Sequence, residues 1–158
     1  HYGIEKLDLD RKLFGIYPHK IMKPTSPLFR GFDDIFMAPH SRATDVRVSD
    51  VEAVPELEVM AVTEEGSLAI AKTKDSRQFF VTCHAEYDVD TLAQEYFRDM
   101  KKGLTTVDLP VNYFPDDDPE KTPVVTWRST GQLLYSNWLN FYVYQSTPYD
   151  LYSNETKF

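Results

Sequence analysis

The chain has 158 residues, a net charge of −8, an apolar share of 42% and an aromatic share of 14%. That length and apolar content allow one domain with its own core and exclude a disordered chain. The acidic balance argues against nucleic acid as a partner, since phosphate binding needs clustered Lys and Arg, and no apolar run approaches a membrane span.

The chain opens His1-Tyr2-Gly3-Ile4-Glu5-Lys6, polar and charged, with neither an initiator Met nor a signal-peptide pattern. It is therefore expected to be processed or to start within a longer protein. Lys12–Ile16 reads as a short strand, followed by Pro18 and the Pro-rich loop Lys23–Pro27. Pro39 biases Ala38 away from helix, so His40–Arg42 is expected on a loop. Val46–Val48 reads as a short strand and Ser49–Val54 as a helical turn closed by Pro55. Leu57–Thr63 and Leu68–Lys72 are apolar-rich strands around the turn Glu64-Glu65-Gly66-Ser67, which predicts a hairpin. Phe79–Cys83 is apolar and β-branched enough for a buried strand.

Asp90 is placed to cap a helix over Thr91–Lys102, with Leu92, Tyr96, Phe97 and Met100 on one face and Gly103 ending it. Val111–Pro123 is a turn-rich acidic loop. It lacks the Asp/Asn spacing and Gly of a calcium loop, so its acids read as solvated surface. Ser129 is placed to cap a last helix, with Leu134, Trp138, Phe141 and Tyr142 in a stripe that stops before Pro148.

The most informative residues are His84-Ala85-Glu86, where an apolar strand ends in a histidine and a carboxylate follows two residues later. On an extended segment those two side chains share a face. The carboxylate can then hold one ring N–H, fix the tautomer and support a developing imidazolium. A histidine hydrogen-bonded only for structure is the plainer reading of the pair alone. Cys83 precedes His84 directly, so strand alternation turns it to the opposite face, as a buried small hydrophobe rather than a nucleophile. Glu95 and Arg98 read either as a solvated ion pair or as an Arg turned to grip a substrate carboxylate. Ser41 and Arg42 read as a loop turn or as a contact to an anion or hydroxyl. The histidines and Cys83 lack metal-ligand spacing, so no metal site is expected. A single cysteine leaves no internal disulfide and fits a reducing, cytoplasmic location.

Several stretches together resemble one family, the homoserine O-acyltransferases (O-succinyl- and O-acetyltransferases) of methionine biosynthesis. They are His1–Lys6, Lys12-Leu13-Phe14-Gly15, Ala38-Pro39-His40-Ser41-Arg42, His84-Ala85-Glu86-Tyr87-Asp88, Asn112–Pro119, Asn137-Trp138-Leu139-Asn140 and Tyr142–Leu151. The resemblance runs over nearly the whole chain but covers only the C-terminal half of the family. It implies an α/β fold like that of class I glutamine amidotransferases, flavodoxin-like and three-layered. Residues 1–158 would be the C-terminal half of a single acyltransferase domain. The family's nucleophilic Cys lies on an elbow upstream of the segment matching His1–Lys6, hence outside this chain, and the family usually has Gly where Cys83 stands.

By the same resemblance His84 matches the catalytic base and Glu86 its orienting acid. Arg98 matches the grip on the amino-acid carboxylate, Lys12 and Ser41 match substrate contacts, and Glu95 lies beside the site. The implied reaction is acyl transfer from acyl-CoA, as co-substrate, to the γ-hydroxyl of homoserine through an acyl-Cys, with no resident cofactor. The partners implied are those two substrates and either a second copy of the chain or the missing N-terminal half. The alternatives are a non-catalytic truncated fragment, or an acyltransferase or hydrolase of the same fold acting on another amino acid such as serine.

Overall fold

A computed structural model describes residues 1–104 and 107–146. Five strands form one sheet in the order β2-β1-β3-β4-β5, antiparallel at every neighbouring pair. They are β1 (Leu7–Ile21), β2 (Ile35–Asp45), β3 (Leu57–Thr63), β4 (Leu68–Thr73) and β5 (Phe79–Val81). Helix α1 (Val48–Glu52) lies between β2 and β3; α2 (Thr91–Lys101) and α3 (Arg128–Trp138) follow the sheet, and α3 runs on as a π-helical turn, Leu139–Val143. The β3–β4 hairpin and α2 stand where the sequence places them. Pro148, and the family-like stretch past Ser146, lie outside the described residues.

Four expectations are corrected. His40–Arg42 is not a loop but part of β2, with Pro39 before it opposite Ile16. β2 is an edge strand, and there a residue without an N–H leaves no ladder bond unmade. Val46–Val48 is not a strand. The Asp45 carboxylate takes the Val46 N–H at 2.7 Å, turns the chain off β2, and Val48 opens α1. The Phe79–Cys83 strand shrinks to three residues at the opposite edge of the sheet, where Phe80 and Val81 are 38% and 43% exposed. Neither Asp90 nor Ser129 caps its helix. The Asp90 carboxylate instead accepts from the Gln94 amide one turn on, and α3 opens at Arg128 behind Trp127 without a side-chain cap.

Three apolar clusters hold the layers together. Leu28, Phe36, Met60, Ile70, Cys83 and Leu134 fill the space between the sheet and α3. Phe14, Ile16, Leu92, Tyr113, Phe114 and Trp127 join β1 to α2 and to the acidic loop. Val51, Leu57, Val59, Leu68 and Ala71 seat α1. On α2 only Leu92 is buried, while Phe97 and Met100 are exposed, so half of its predicted apolar face is uncovered.

Gly15 allows the second cluster to close. Val111 bridges to it in parallel, with Ile16 N–H donating to Val111 O at 2.8 Å and Val111 N–H to Phe14 O at 2.9 Å. A Cβ on Gly15 would lie 2.3 Å from the Val111 nitrogen, and its φ is +139°. The returning loop can therefore dock on β1 only against glycine.

Candidate active site

The chain leaves β5 at Val81 and reaches His84 in three residues. Thr82 N–H donates to Ala69 O of β4 at 2.9 Å, and His84 N–H donates to Pro39 O of β2 at 2.8 Å. Cys83, between them, turns into the first core cluster and is 3% exposed. Burial pushes its thiol pKa up to about 12, so it is no thiolate at neutral pH. Beyond His84 the backbone turns, with Tyr87 N–H donating to His84 O at 3.1 Å and the indole N–H of buried Trp127 donating to Tyr87 O at 3.0 Å. Helix α3 presses on this turn through Gly131, where a Cβ would meet Ala85 O at 2.5 Å.

The His84–Glu86 pair is made. Nδ1 of His84 lies 2.8 Å from Glu86 Oε1, and Tyr135 of α3 donates its hydroxyl to Glu86 Oε2 at 3.4 Å. A carboxylate at Nδ1 favours the tautomer with the proton on Nδ1, which leaves Nε2 with a lone pair. Among the described residues Nε2 has no hydrogen-bond partner. Tyr87 stacks on the imidazole, with centroids 4.3 Å apart and planes 14° apart.

Beside this pair stands a second cluster centred on Glu95 of α2. Ser41 of β2 donates to its Oε2 at 2.6 Å, and Lys12 Nζ of β1 approaches the same oxygen at 3.0 Å. Tyr87 donates to Oε1 at 3.4 Å, and Arg98 Nη2 lies 3.9 Å from Oε2. Burial alone would raise the Glu95 carboxyl. The Ser41 and Lys12 bonds and the Arg98 charge outweigh it and hold the group below the usual carboxylate range. Burial first, and then the Glu95 charge, push the Tyr87 phenol up to about 12.

Glu95 is therefore not the solvated partner of Arg98 that its spacing suggests, but 16% exposed and held from three elements. Its Ser41 and Lys12 partners lie 54 and 83 residues away in sequence, so no local pattern could reveal it. The same holds for Tyr87, whose stack on His84 depends on the turn between them. Arg98 is half exposed and bonds first to Asp99, Nε to Oδ1 at 2.8 Å, which raises its own pKa and lowers that of Asp99. It reaches the site's edge through Glu95 and makes no direct bond to His84 or Glu86. Arg42 is committed elsewhere, to Asp45 at 2.6 Å and to Leu68 O at 2.9 Å. Among the described residues no cluster of three His, Cys, Asp or Glu gathers that could hold a metal ion.

Comparison with known proteins shows the family and the fold. The family described as "Homoserine O-succinyltransferase" matches residues 1–149. A homoserine O-acetyltransferase of Acetivibrio thermocellus is 57% identical over 157 residues, covering 99% of this chain and 50% of that protein. One of Brevibacillus brevis is 53% identical over 151 residues, covering 96% and 49%. The chain thus spans about half the length of the curated relatives it matches. Among solved structures, a glutamine amidotransferase from Thermotoga maritima superposes with a TM-score of 0.56 at 12% identity, covering 87% of this chain and 54% of that one. One from Methylobacillus flagellatus gives 0.56 at 13%, covering 87% and 56%. Those likenesses show the fold, α/β of the class I glutamine amidotransferase kind, and the matched residues show the rest: this chain belongs to the homoserine O-succinyltransferase family.

Proposed function

We propose that this chain carries the base, the orienting acid and the acceptor contacts of a homoserine O-acyltransferase. The observation that carries the reading is the His84–Glu86 pair, its Nε2 without a hydrogen-bond partner among the described residues, set beside the Lys12–Ser41–Glu95 cluster. The buried Cys83 favours a nucleophile supplied from outside these residues, and the half-length match to the relatives leaves room for one. Residues 1–158 are then the C-terminal half of a single domain, and alone they form a fragment without turnover.

In the first half-reaction an acyl-CoA thioester, with no resident cofactor, is attacked by a cysteine thiolate. The acyl–sulfur bond to CoA breaks as the acyl–Cys bond forms, and the CoA thiolate leaves with a proton from protonated His84. In the second, His84 Nε2 takes the proton of the homoserine γ-hydroxyl while its oxygen attacks the acyl-Cys carbonyl. Collapse forms the ester and frees the thiolate. Splitting one transfer into two gives ping-pong kinetics. Glu86 holds the imidazole in the right tautomer and supports its charge. Arg98, Lys12 and Ser41 orient the amino acid, which supplies positioning rather than chemistry. The product would be an activated homoserine ester for methionine biosynthesis, made in the cytoplasm where acyl-CoA is at hand.

The test is initial-velocity kinetics of the native-length protein with acetyl- or succinyl-CoA against homoserine and serine. Parallel double-reciprocal lines with homoserine, and their loss in His84→Ala, are expected. Equal turnover with serine would move the reading to the serine alternative. Intersecting lines would remove the acyl-enzyme.

A further inference from the structure

We propose that Tyr87 is a positioning residue that couples the His84 base to the acceptor cluster at Glu95. The inference rests on the function proposed above and adds a residue to it. Tyr87 makes two contacts with different partners. Its ring lies flat on the imidazole, and its hydroxyl donates to Glu95 Oε1 at 3.4 Å. Its backbone is held on both sides of its Cα, by the bond from its N–H to His84 O and by the Trp127 indole N–H on its carbonyl. The side chain is therefore set by the fold, and it sets its neighbours.

The geometry explains why two contacts are needed. Glu86 restrains the imidazole in its plane through Nδ1, but a single in-plane bond lets the ring rock about that bond. A face contact 4.3 Å away with planes within 14° blocks the rocking and fixes where Nε2 points. The same aromatic face meets the imidazolium that forms when Nε2 takes the hydroxyl proton, an arrangement that favours the cation. The hydroxyl then ties this ring to the carboxylate that already holds Ser41 and Lys12. Base and acceptor contacts thus share one rigid spacer, and a displacement of about 1 Å in such a frame costs about 10²-fold in rate.

Tyr87→Phe keeps the stack and removes only the hydroxyl; Tyr87→Leu removes both. In the native-length protein, Tyr87→Leu is expected to lower kcat about 10²-fold and, having lost the same hydroxyl, to raise the acceptor KM as much as Tyr87→Phe does. Tyr87→Phe is expected to restore most of kcat and to raise the acceptor KM, because Glu95 loses one of its anchors. In proton NMR the His84 Cε1–H resonance should carry an upfield ring-current shift in wild type and Tyr87→Phe that is absent in Tyr87→Leu. Unchanged kcat in Tyr87→Leu, or a loss that Phe fails to rescue, overturns the proposal. If the wild-type protein turns over no acyl-CoA, the function proposed above fails. The ring-current arm still decides the stack, and a His84 shift identical in all three proteins overturns it.

Discussion

At the residue scale the proposed chemistry needs few atoms. His84 has a carboxylate on one nitrogen, an aromatic face on one side and, among the described residues, no hydrogen-bond partner on its second nitrogen. Glu86→Gln keeps the shape but can offer Nδ1 the wrong partner, so the tautomer is no longer held. A fall of about 10²-fold or more in kcat/KM is expected from steady-state kinetics, with little change in melting temperature, because Glu86 is exposed. Glu95→Gln acts differently. It leaves Lys12 and Ser41 without the charge that gathers them, and the expected effect is a rise in the acceptor KM of about tenfold, or ~1.4 kcal/mol, at nearly constant kcat. The His84–Glu86 pair was legible in sequence because a single residue, Ala85, separates its members. Glu95 came beside the site only through the resemblance, and its partners and Tyr87 were not legible, because they come from β1, β2 and a turn that only the folded chain brings together.

At the element scale, close approach and burial decide what tolerates change. Gly131→Ala would force a Cβ to within 2.5 Å of the Ala85 carbonyl, with a backbone atom that cannot swing aside. A loss of ~1–3 kcal/mol in urea unfolding is expected, together with, under the proposed function, a loss of turnover, since Ala85 sits between His84 and Glu86. β1 and β2 also bury a histidine pair, His19 and His40, with Nε2 atoms 2.8 Å apart. Burial holds His19 at about 4 and His40 at about 2, against about 6.5 for an exposed imidazole. Below pH 6.5 the unfolded chain binds protons that the folded chain does not, so the stability these groups contribute is full above 6.5 and is lost as pH falls toward 4. His19→Phe is expected to flatten the decline of unfolding free energy between pH 6.5 and 4. An unaltered slope would contradict the burial of that pair. The β3–β4 hairpin and α2 were readable because pattern and turn chemistry agree locally. The extent of β2 was not: Pro39 speaks for a loop, and only an edge position makes a strand acceptable there.

At the scale of the whole molecule the described residues leave an apolar edge. Val81 of β5 is exposed beside Tyr135 and Trp138 of α3, and among the described residues β5 pairs on one side only. Under the proposed function this face takes a second copy or the remainder of a relative-length chain. The isolated 158 residues are therefore expected to self-associate in sedimentation velocity, and Val81→Lys to shift them toward monomer. A wild-type fragment that stays monomeric at high concentration would contradict that role for the edge. The family was legible at this scale because the matching stretches follow one another in order along the chain. The edge itself was misread as a buried strand, since an apolar sequence reports what a strand would bury and not whether anything covers it.

The central claim is that His84 serves a nucleophile that is not Cys83. Its most direct measurement is to mix the native-length protein with radiolabelled acetyl- or succinyl-CoA in the absence of acceptor, map the labelled peptide, and then add homoserine. The account predicts one acyl group per chain on a cysteine outside residues 1–158, discharged to homoserine in wild type and retained or never formed in His84→Ala. Label on Cys83, or turnover with no acylated cysteine at all, would contradict it.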